Sequence, residues 1–533
     1  MMSLMSFRLL SLFVGLSTAS LAVADSIADC SLVAKQPGLE TIYSEGWGID
    51  LRNTRYQSET VIRAKNVGGL ELQWAYGFST MSPRSYPLIT EDTVFIGDGG
   101  RGVVALDRET GCERWVFEHT GPISSAILHA RILDQDVLIF NDRTAGVFAI
   151  SATDGTLVRH IFVDDELVPT YSATPLISEN VIYVPVASQE IGLAGNPLYG
   201  CCTTSGGVAA FDIRTGEKLW YIPTIEEEAR VTGSHFGFVQ EYGPSGAPVW
   251  GAPSIDEENG LLFFGTGQNF THPTTETSDA IFAVDVQKGE VIWVNQFTPN
   301  DAFSTACVMS LNHPNCAKPY GPDVDFGAPT LLVKTLGEKN LLLAGQKSGD
   351  VHAINPQNGE TIWSTKLGRG SIIGGVHWGL AANEDLGLVY APISDKAVLG
   401  YPTPGDPNPG LYALDMDTGE VIWGYQRPSR CESERCVFGY SSAIIATNDV
   451  VVIGSMDGYL EILSAVDGRL LWSHDAFREY PTSNSIGASG GAFDAHGPMI
   501  VGDQIFVSSG YGYVGDQRPG NAFLVFKLES DNE

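Results

Sequence analysis

One short motif recurs seven times along this chain of 533 residues. Each copy has a small apolar residue on a short strand, a turn containing Asp or Asn and then Gly, and a closing tryptophan, which one copy replaces by His160. The copies are Ala105–Trp115, Ala149–His160, Ala210–Trp220, Ala283–Trp293, Ala353–Trp363, Ala413–Trp423 and Ile462–Trp472, and Ala522–Leu528 is a truncated eighth copy. A unit this small cannot bury its apolar face alone, so neighbouring copies must stack.

The repeat predicts an all-β fold, an eight-bladed β-propeller. The Asp or Asn oxygen caps the turn, Gly supplies a positive φ, and the tryptophan packs against the neighbouring blade. The strand Leu70–Phe78 and the last copy are expected to share one blade and close the ring. A two-sheet sandwich is the weaker alternative, because it gives no reason for the repeated tryptophan.

The chain is predicted to have three segments. Residues 1–24 are typical of a secretion signal, because Arg8 and an apolar run precede the small residues Ala22–Ala24. Residues 25–66 form an N-terminal lead segment, and residues 67–533 form the propeller. No lipoprotein box precedes Cys30, and no later stretch is apolar enough to span a bilayer. We therefore expect a periplasmic or secreted protein without a membrane span.

Eight cysteines in an exported chain indicate disulfides. Short loop closures favour two pairs and leave a third, giving Cys307–Cys316, Cys431–Cys436 and Cys30–Cys112. A vicinal disulfide is the favoured interpretation of the adjacent Cys201 and Cys202, and the alternative is that each pairs elsewhere. No CxxCH motif is present, so the chain is expected to carry no c-type haem.

The charge balance is strongly acidic, with 31 Lys and Arg against 63 Asp and Glu and a net charge of −32. Nucleic acid and anionic membranes are poor partners for such a surface. The charge suits solubility alone, or attraction of a basic protein partner such as an electron-accepting cytochrome.

Several segments resemble, in order, those of quinoprotein alcohol dehydrogenases that depend on pyrroloquinoline quinone (PQQ), in particular the polyvinyl-alcohol dehydrogenase branch without its cytochrome c domain. The resemblance covers nearly all of the chain after the signal and implies a PQQ-binding eight-bladed propeller. The segments are Trp47–Gln57, Cys201–Asp212, Gly243–Asp256, Asn300–Cys307, Gly321–Pro329, Leu341–Pro356, Gly368–Gly379 and Gly510–Asn521.

The resemblance implies a set of cofactor contacts. Trp250 matches the tryptophan that covers one face of the quinone, although it could be a packing residue. The Cys201–Cys202 pair could cover the other face, but it comes one blade later than in methanol-oxidising relatives. Lys347 matches the basic residue that hydrogen-bonds the quinone oxygens. Further candidates, through charge and packing, are Arg84, Arg369 and Trp378 with its neighbour His377.

The resemblance also implies a calcium site, since Ca²⁺ prefers hard oxygen ligands. Glu190 and Asn269 fall at the family's glutamate and asparagine ligands, while strict spacing gives Gln268 instead of Asn269. Asp325 is the predicted general base and a metal ligand, with Asp323 as the alternative.

Two further positions bear on the base and the metal. A direct overlay on methanol-oxidising relatives puts Ser304 at the position of the general base. A serine cannot act as a general base unless another base first takes its proton. Lanthanide-using relatives carry a carboxylate two residues beyond the base, where this chain has Gly327. Calcium is therefore expected.

The implied activity is the oxidation of secondary or polymeric alcohols by PQQ and Ca²⁺. Asp325 takes the hydroxyl proton, hydride passes to the quinone, and a separate soluble cytochrome c receives the electrons. One alternative is a non-enzymatic scaffold of the outer-membrane assembly type, which predicts neither the Cys-Cys pair nor a Trp250-type platform. Another is a hydrolase or sugar-binding propeller, for which no nucleophile-elbow or metal-hydrolase motif is found.

Overall fold

Eight antiparallel sheets form the blades of a propeller in the computed structural model, which describes residues 30–164, 168–397, 403–432, 436–512 and 517–529. The predicted signal, residues 1–24, lies outside the described residues. Blade 1 consists of Leu88–Ile89, Thr93–Asp98, Gly102–Asp107 and Glu113–Glu118, and blade 2 of Leu128–Ile132, Gln135–Asp142, Gly146–Ser151 and Leu157–Ile161. Blade 3 consists of Pro169–Thr170, Leu176–Ser178, Val181–Ser188, Gly207–Asp212 and Lys218–Pro223. Blade 4 consists of Ser254–Asp256, Leu261–Gly265, Ala280–Asp285 and Glu290–Gln296.

The remaining strands complete the ring. Blade 5 consists of Leu331–Lys334, Asn340–Gly345, Asp350–Ile354 and Thr361–Lys366, and blade 6 of Ala381–Asn383, Leu388–Ile393, Gly410–Asp415 and Val421–Tyr425. Blade 7 consists of Ile445–Ala446, Val450–Gly454, Tyr459–Ser464 and Leu470–Asp475. Blade 8 consists of Met499–Val501, Gln504–Ser509, Ala522–Leu528 and Leu70–Gly77. Outside the blades lie the paired strands Arg230–His235 with Val239–Gly243, Ser245–Gly246 with Asn269–Thr271 and Glu479–Tyr480 with Ala488–Ser489, the α-helices Glu190–Leu193 and Thr305–Met309, and the 3₁₀ turns Cys30–Leu32 and Val67–Gly69. The predicted eight-bladed propeller is confirmed.

The first and last strands close the ring in blade 8. Leu70–Gly77 pairs antiparallel with Ala522–Leu528, with Leu70 opposite Leu528 and Gly77 opposite Ala522. This closure was predicted. All four predicted disulfides are present, including the vicinal one. In the part of the chain that the structure describes, no helix has the length and apolarity needed to cross a membrane.

In five of the seven copies the repeated tryptophan packs against the turn of the next blade, and in four of these its indole N–H also donates to that turn. The indole N–H of Trp363 donates to the carbonyl of Met416 at 2.9 Å. The turn glycine beside it, Gly419, has φ +73°, and a Cβ there would come within 2.6 Å of the Trp363 ring. Further indoles donate in the same way, namely Trp74 to Arg108, Trp220 to Val286, Trp293 to Pro356 and Trp423 to Ala465. The motif therefore encodes the contact between blades.

The copy that ends in His160 uses a different residue for this contact. The guanidinium of Arg159 donates to the carbonyls of Arg214 at 2.6 Å and Thr215 at 2.7 Å, in the turn of blade 3. Arg159, the residue before His160, therefore supplies the hydrogen-bond donors that join blade 2 to the turn of blade 3.

We expect Gly419→Ala to destabilise the protein by about 2–3 kcal/mol, because the new Cβ overlaps the Trp363 indole and the backbone has a strained positive φ. Thermal or urea unfolding measures the effect. Gly68→Ala is the matched control, since a Cβ at Gly68 meets nothing within 4 Å. Equal stability of the two variants would contradict this account of the turn.

The lead segment runs across the first strands of consecutive blades. Its residues 51–61 form one backbone hydrogen bond after another with blades 4 to 8. The pairs are Ile255 N with Leu51 O, Leu332 N with Arg52 O, Ala382 N with Thr54 O, Ala446 N with Arg55 O and Val61 N with Gly502 O. The segment thus ties five blades together, while the domain boundaries at 25–66 and 67–533 stay a prediction.

Arg55 of this segment is fully buried. Its guanidinium lies 4.5 Å from the Trp47 ring centroid and 5.0 Å from that of Tyr86. The group donates to four carbonyl oxygens, those of Trp47 at 3.3 Å, His496 at 3.0 Å, Pro498 at 3.0 Å, and Ile444. One cation therefore satisfies the carbonyls of three different segments.

His496 is held as a neutral imidazole beside Arg55. Its Nδ1 accepts from the Trp47 indole at 2.8 Å, and its Nε2 donates to the Ser124 carbonyl at 2.9 Å. Burial, together with the charges of Arg84 and Arg55, lowers the pKa of His496 to about 3. A second ring proton would face the indole N–H, which is itself a donor.

This arrangement predicts a loss of stability in acid. Below pH about 6.5 the histidine is protonated in the unfolded chain but stays neutral in the folded one. The contribution of His496 to the free energy of unfolding is therefore fully present above that pH and falls as the pH drops towards 3. Between these two pH values the free energy of unfolding should fall by about 1.4 kcal/mol per pH unit. We expect the stability difference between wild type and His496→Gln to shrink between pH 7 and pH 5 in urea unfolding. A difference that does not change with pH would contradict the assignment.

Candidate active site

A cavity of about 410 Å³ opens at one end of the ring. Most of its residues precede the first strand of a blade or follow the second strand, and in antiparallel blades these two points lie at the same end. The lining is Arg84, Arg143, Thr170, Ser172, Ala187, Ser188, Ile191, Pro248, Trp250, Gln268, Phe270, Phe303, Thr305, Val308, Asp323, Asp325, Lys347, Ile372, Ile373, His377, Trp378 and Tyr511.

Eight residues singled out in the sequence meet in this cavity. They come from loops up to several hundred residues apart in the chain: Arg84, Trp250, Gln268, Asp323, Asp325, Lys347, His377 and Trp378. The cavity therefore combines two carboxylates, two cations, two indoles, an amide and an imidazole.

Asp325 is held in place by three donors. Its Oδ2 accepts from the indole Nε1 of Trp250 at 3.0 Å and from Nζ of Lys347 at 3.2 Å. Its Oδ1 accepts from the backbone N–H of Gln268 at 3.0 Å. The carboxylate is 5% exposed and lines the cavity. Its orientation is therefore fixed before any substrate arrives.

Lys347 bridges the two aspartates of its neighbouring loop. Its Nζ lies 2.8 Å from Asp323 Oδ1 and 3.2 Å from Asp325 Oδ2. Burial by itself lowers the pKa of Lys347, but the charges of Asp323 and Asp325 outweigh burial and raise it. Lys347 therefore remains a cation inside the cavity wall.

Asp301 braces the loop that carries Asp325. Its carboxylate accepts from the backbone N–H groups of Asp323 at 3.1 Å and Val324 at 3.0 Å. Burial raises the pKa of Asp301 to about 6, against the effect of these two donors. Ser304, the position given by direct overlay, is buried and does not line the cavity.

Gln268 lines the cavity and Asn269 does not. The Asn269 amide donates to Ser245 O at 3.1 Å, and its Oδ1 accepts from Thr275 N at 2.9 Å. Gln268 donates through Nε2 to Phe303 O at 3.2 Å, while its buried Oε1 has no hydrogen-bond partner among the described residues. Of the two alternatives in the sequence, Gln268 is thus the one whose carbonyl is available at the cavity.

Glu190 lies behind the cavity wall, between the lining residues Ser188 and Ile191. Its fully buried carboxylate accepts from Tyr199 OH at 2.8 Å, from the N–H groups of Thr203 and Thr204 at 2.8 and 2.7 Å, and from Thr204 Oγ1 at 2.6 Å. Here Glu190 secures the turn after the cysteine pair. No set of three or more His, Cys, Asp or Glu side chains in the described ranges is arranged to hold a metal.

Three other predicted residues also lie outside the lining. Cys201 and Cys202 are buried in an apolar cluster with Phe270 and Phe303, two residues that do line the cavity. Arg369 donates to the carbonyls of Gly405 at 3.0 Å and Asp395 at 2.9 Å.

Trp250 stands edge-on to two rings of the lining. Its ring centroid is 5.9 Å from that of His377 and 5.8 Å from that of Trp378, with interplanar angles of 71° and 83°. A Cβ at Gly327 would lie 1.8 Å from the Trp250 ring, so only glycine leaves room for the indole. A side chain at position 327 would have to displace the indole.

Cations and a neutral imidazole complete the lining. Arg84 stacks 4.8 Å from the Trp378 centroid and donates to Ser172 O at 3.2 Å. His377 shares a 2.8 Å hydrogen bond with Ser441, and burial, with the charges of Lys347, Arg84 and Lys396, lowers the pKa of His377 well below its usual value. Sequence reasoning missed Arg143, because it lies in an ordinary turn after a strand and carries no motif.

Known proteins resemble both halves of the chain. The family model described as "Glucose/ethanol/alcohol dehydrogenase, beta-propeller domain" matches residues 45–305, and that of "Outer membrane protein assembly factor BamB" matches residues 278–530. A polyvinylalcohol dehydrogenase from Pseudomonas sp is 31% identical over 91% of this chain and 76% of its own length.

Two further comparisons agree with this result. A second polyvinylalcohol dehydrogenase, from Sphingopyxis sp. (strain 113P3), is 32% identical over 87% of this chain and 72% of its own length. The solved quinohemoprotein alcohol dehydrogenase from Comamonas testosteroni superposes with a TM-score of 0.67 at 18% identity, covering 92% of this chain and 81% of that one. The last comparison concerns the fold alone.

Proposed function

The chain belongs to the PQQ-dependent quinoprotein alcohol dehydrogenase family, and from that premise we propose that it oxidises secondary or polymeric alcohols in the cavity, with Asp325 as general base. The observation that carries this proposal is the meeting of Asp325, Trp250 and Lys347 in one cavity, with Asp325 hydrogen-bonded to both partners. Export to the periplasm or medium is part of the proposal, and the four disulfides support it.

The lining fits a planar cofactor with three carboxylates. Arg84, Arg143 and Lys347 bring three cations to one cavity, and guanidinium groups bind carboxylates well because of their planar, forked geometry. Trp250 and Trp378 supply flat aromatic surfaces. We propose that these residues hold the quinone.

The fit to a divalent cation rests on two oxygen donors. The unpartnered Oε1 of Gln268 and the carboxylate of Asp325 are hard ligands of the kind that Ca²⁺ prefers, and both residues line the cavity. We propose Gln268 and Asp325 as ligands, with Glu190 behind the wall as a third only if its turn releases it. Position 327 holds glycine and not the carboxylate of the lanthanide-using relatives, which supports calcium over a lanthanide.

The protein's own part in the reaction follows from these contacts. When bound, PQQ supplies the two-electron acceptor and the divalent cation supplies a Lewis acid. Oδ1 of Asp325 accepts only one hydrogen bond in the structure, from the Gln268 N–H, so this oxygen is the one that we propose takes the alcohol proton. Trp250 and Lys347 hold the other oxygen, so the base does not need to reorient.

Electrons are proposed to leave to a separate, soluble cytochrome c. The net charge of −32 favours attraction of a basic acceptor. Such attraction weakens with salt, so the rate with a basic cytochrome should fall as ionic strength rises.

Reconstitution of the purified protein tests the proposal. We expect dye reduction with secondary alcohols only when PQQ and Ca²⁺ are both added. The absence of turnover across a broad panel of alcohols, with PQQ demonstrably bound, would contradict it.

A scaffold function is the second candidate, because the assembly-factor model matches residues 278–530. The dehydrogenase relatives extend over both halves of the chain, and the buried Lys347–Asp325 pair in the cavity wall favours a ligand site over a scaffold. An absorption spectrum of the protein as isolated distinguishes a quinone-binding protein from an empty scaffold.

Gly327→Ala tests the role of Trp250 separately from the base. The added methyl overlaps the indole, so we expect PQQ affinity to fall by about tenfold or more, which corresponds to about 1.4 kcal/mol. Equilibrium titration of the protein with PQQ measures this affinity. Gly487→Ala is a control at a glycine where a Cβ would meet nothing within 4 Å, and unchanged PQQ affinity in Gly327→Ala would contradict the assignment.

A further inference from the structure

A row of side-chain hydrogen bonds leads from a buried carboxylate to the cavity across three consecutive blades. His377 precedes the first strand of blade 6, Ser441 that of blade 7 and Asp494 that of blade 8. Nδ1 of His377 lies 2.8 Å from Oγ of Ser441, and the same Oγ lies 2.7 Å from Oδ1 of Asp494. Of the three residues, His377 is the one that lines the cavity.

Asp494 is the acceptor at the buried end of this row. Its Oδ1 accepts from the Ser441 hydroxyl and from the backbone N–H of Ala495 at 2.8 Å, and its Oδ2 accepts from Nε2 of Gln517 at 3.1 Å. Burial raises the pKa of Asp494, although the first two hydrogen bonds and the charge of Lys396 oppose the rise. Three donors around one carboxyl group favour the carboxylate, which accepts and does not donate.

The serine hydroxyl determines which nitrogen of His377 carries the proton. A hydroxyl group has one proton to donate and two lone pairs that accept. Because Ser441 donates its proton to Asp494, its oxygen is an acceptor towards the imidazole. The lowered pKa of His377 keeps the imidazole neutral, so it has a single N–H group. That proton therefore lies on Nδ1, and Nε2 keeps a lone pair.

Nε2 of His377 is an open acceptor at the cavity. Among the described residues it has no hydrogen-bond partner, and unlike Nε2 of His352 it is not sealed from solvent. The two acidic side chains of the lining, Asp323 and Asp325, are both paired with Lys347. The cavity therefore presents a neutral nitrogen acceptor that is free to accept from a bound molecule.

We propose that Nε2 of His377 accepts a hydrogen bond from the pyrrole N–H of bound PQQ, and that Ser441 and Asp494 are positioning residues that keep this nitrogen unprotonated. The inference rests on the proposed function and adds the orientation of the cofactor to it. The quinone oxygens, the pyridine nitrogen and the carboxylates of PQQ are acceptors, which suit the cations of the lining. The pyrrole N–H is the one donor of the molecule, and the opposite tautomer of His377 would set two N–H groups against each other.

Nitrogen NMR of the protein labelled with ¹⁵N at its histidines measures the tautomer directly. The two ring signals of His377 are identified by their loss in His377→Phe. Before PQQ is added, we expect the proton on Nδ1, and Ser441→Ala should remove this preference. On saturation with PQQ the Nε2 signal should move upfield, as it does when an unprotonated nitrogen accepts a hydrogen bond. A proton on Nε2 in the wild type, an Nε2 signal that PQQ leaves unchanged, or an unaltered tautomer in Ser441→Ala overturns the inference.

Equilibrium titration with PQQ gives a second measurement. His377→Phe keeps an aromatic ring but has no acceptor, so we expect the Kd for PQQ to rise about tenfold, because a buried donor is left unpaired. His352→Phe is the matched control, since Nδ1 of His352 also bonds a serine, Ser364 Oγ at 2.7 Å, but His352 does not line the cavity, and its Kd should be unchanged. Equal affinities of His377→Phe and the wild type overturn the inference and leave the proposed function standing. A wild type that binds no PQQ overturns both.

Discussion

Asp325→Asn is expected to lower kcat for alcohol oxidation by about three orders of magnitude, the contribution typical of a positioned general base. Asparagine keeps the shape of the side chain but has one acceptor oxygen where Asp325 has two, so it can accept from the Gln268 N–H or from the Trp250 indole and not from both, and it cannot take the alcohol proton. Stopped-flow dye reduction at saturating PQQ, Ca²⁺ and alcohol measures kcat. An absorption spectrum of the loaded variant verifies that the cofactor is bound.

Asp323→Asn is the matched control for this prediction. Asp323 contacts the same Lys347 Nζ at 2.8 Å and lines the same cavity, so its removal tests the loss of a negative charge next to the lysine. We expect a decrease of less than about tenfold, since Asp323 is not the proposed base. A larger decrease in kcat for Asp323→Asn than for Asp325→Asn would show that Asp323, and not Asp325, is the general base.

Arg55→Met is expected to destabilise the fold by about 4 kcal/mol, within the range found when one partner of a buried charged network is removed. Methionine fills part of the volume between Trp47 and Tyr86 but leaves four carbonyl oxygens without their donor. The same change removes the side-chain contacts between the lead segment and blades 7 and 8, while the backbone hydrogen bonds remain. Urea unfolding followed by tryptophan fluorescence measures the free energy.

Arg63→Met serves as the control for Arg55. Arg63 also belongs to the lead segment, but it is only half-buried and its guanidinium donates to the neighbouring carbonyl of Ile62 at 3.1 Å. We expect a change of less than about 1 kcal/mol. Similar losses in the two variants would show that the position in the segment matters, and not the buried guanidinium.

The repeat was sufficient to predict the blades, because each of its residues acts locally. The turn glycine and the tryptophan meet only the next blade, as Gly419 and Trp363 do, so a local pattern specifies the contact. The path of the lead segment could not be read in the same way. Its hydrogen bonds to five blades are made by backbone groups, and backbone groups leave no pattern in the sequence.

The residues of the candidate site also differ in whether the sequence could predict them. Motif position was enough to find Trp250, Asp325 and Lys347, which come from loops at the same end of the ring. It was not enough for Asn269, because the direction of that side chain depends on the turn it forms with Thr275. Neighbouring Gln268 faces the cavity instead, and Arg143 reaches it from a turn that no motif marks.

The central claim is that one cavity holds a quinone next to a carboxylate base. A single-turnover experiment tests it most directly: protein loaded with PQQ and Ca²⁺ is mixed with a secondary alcohol in the absence of any electron acceptor. We predict that one equivalent of quinone is bound and that the alcohol reduces it, with the reduction nearly abolished in Asp325→Asn. Failure of the protein to bind stoichiometric PQQ, or reduction at the same rate in Asp325→Asn, would contradict the claim.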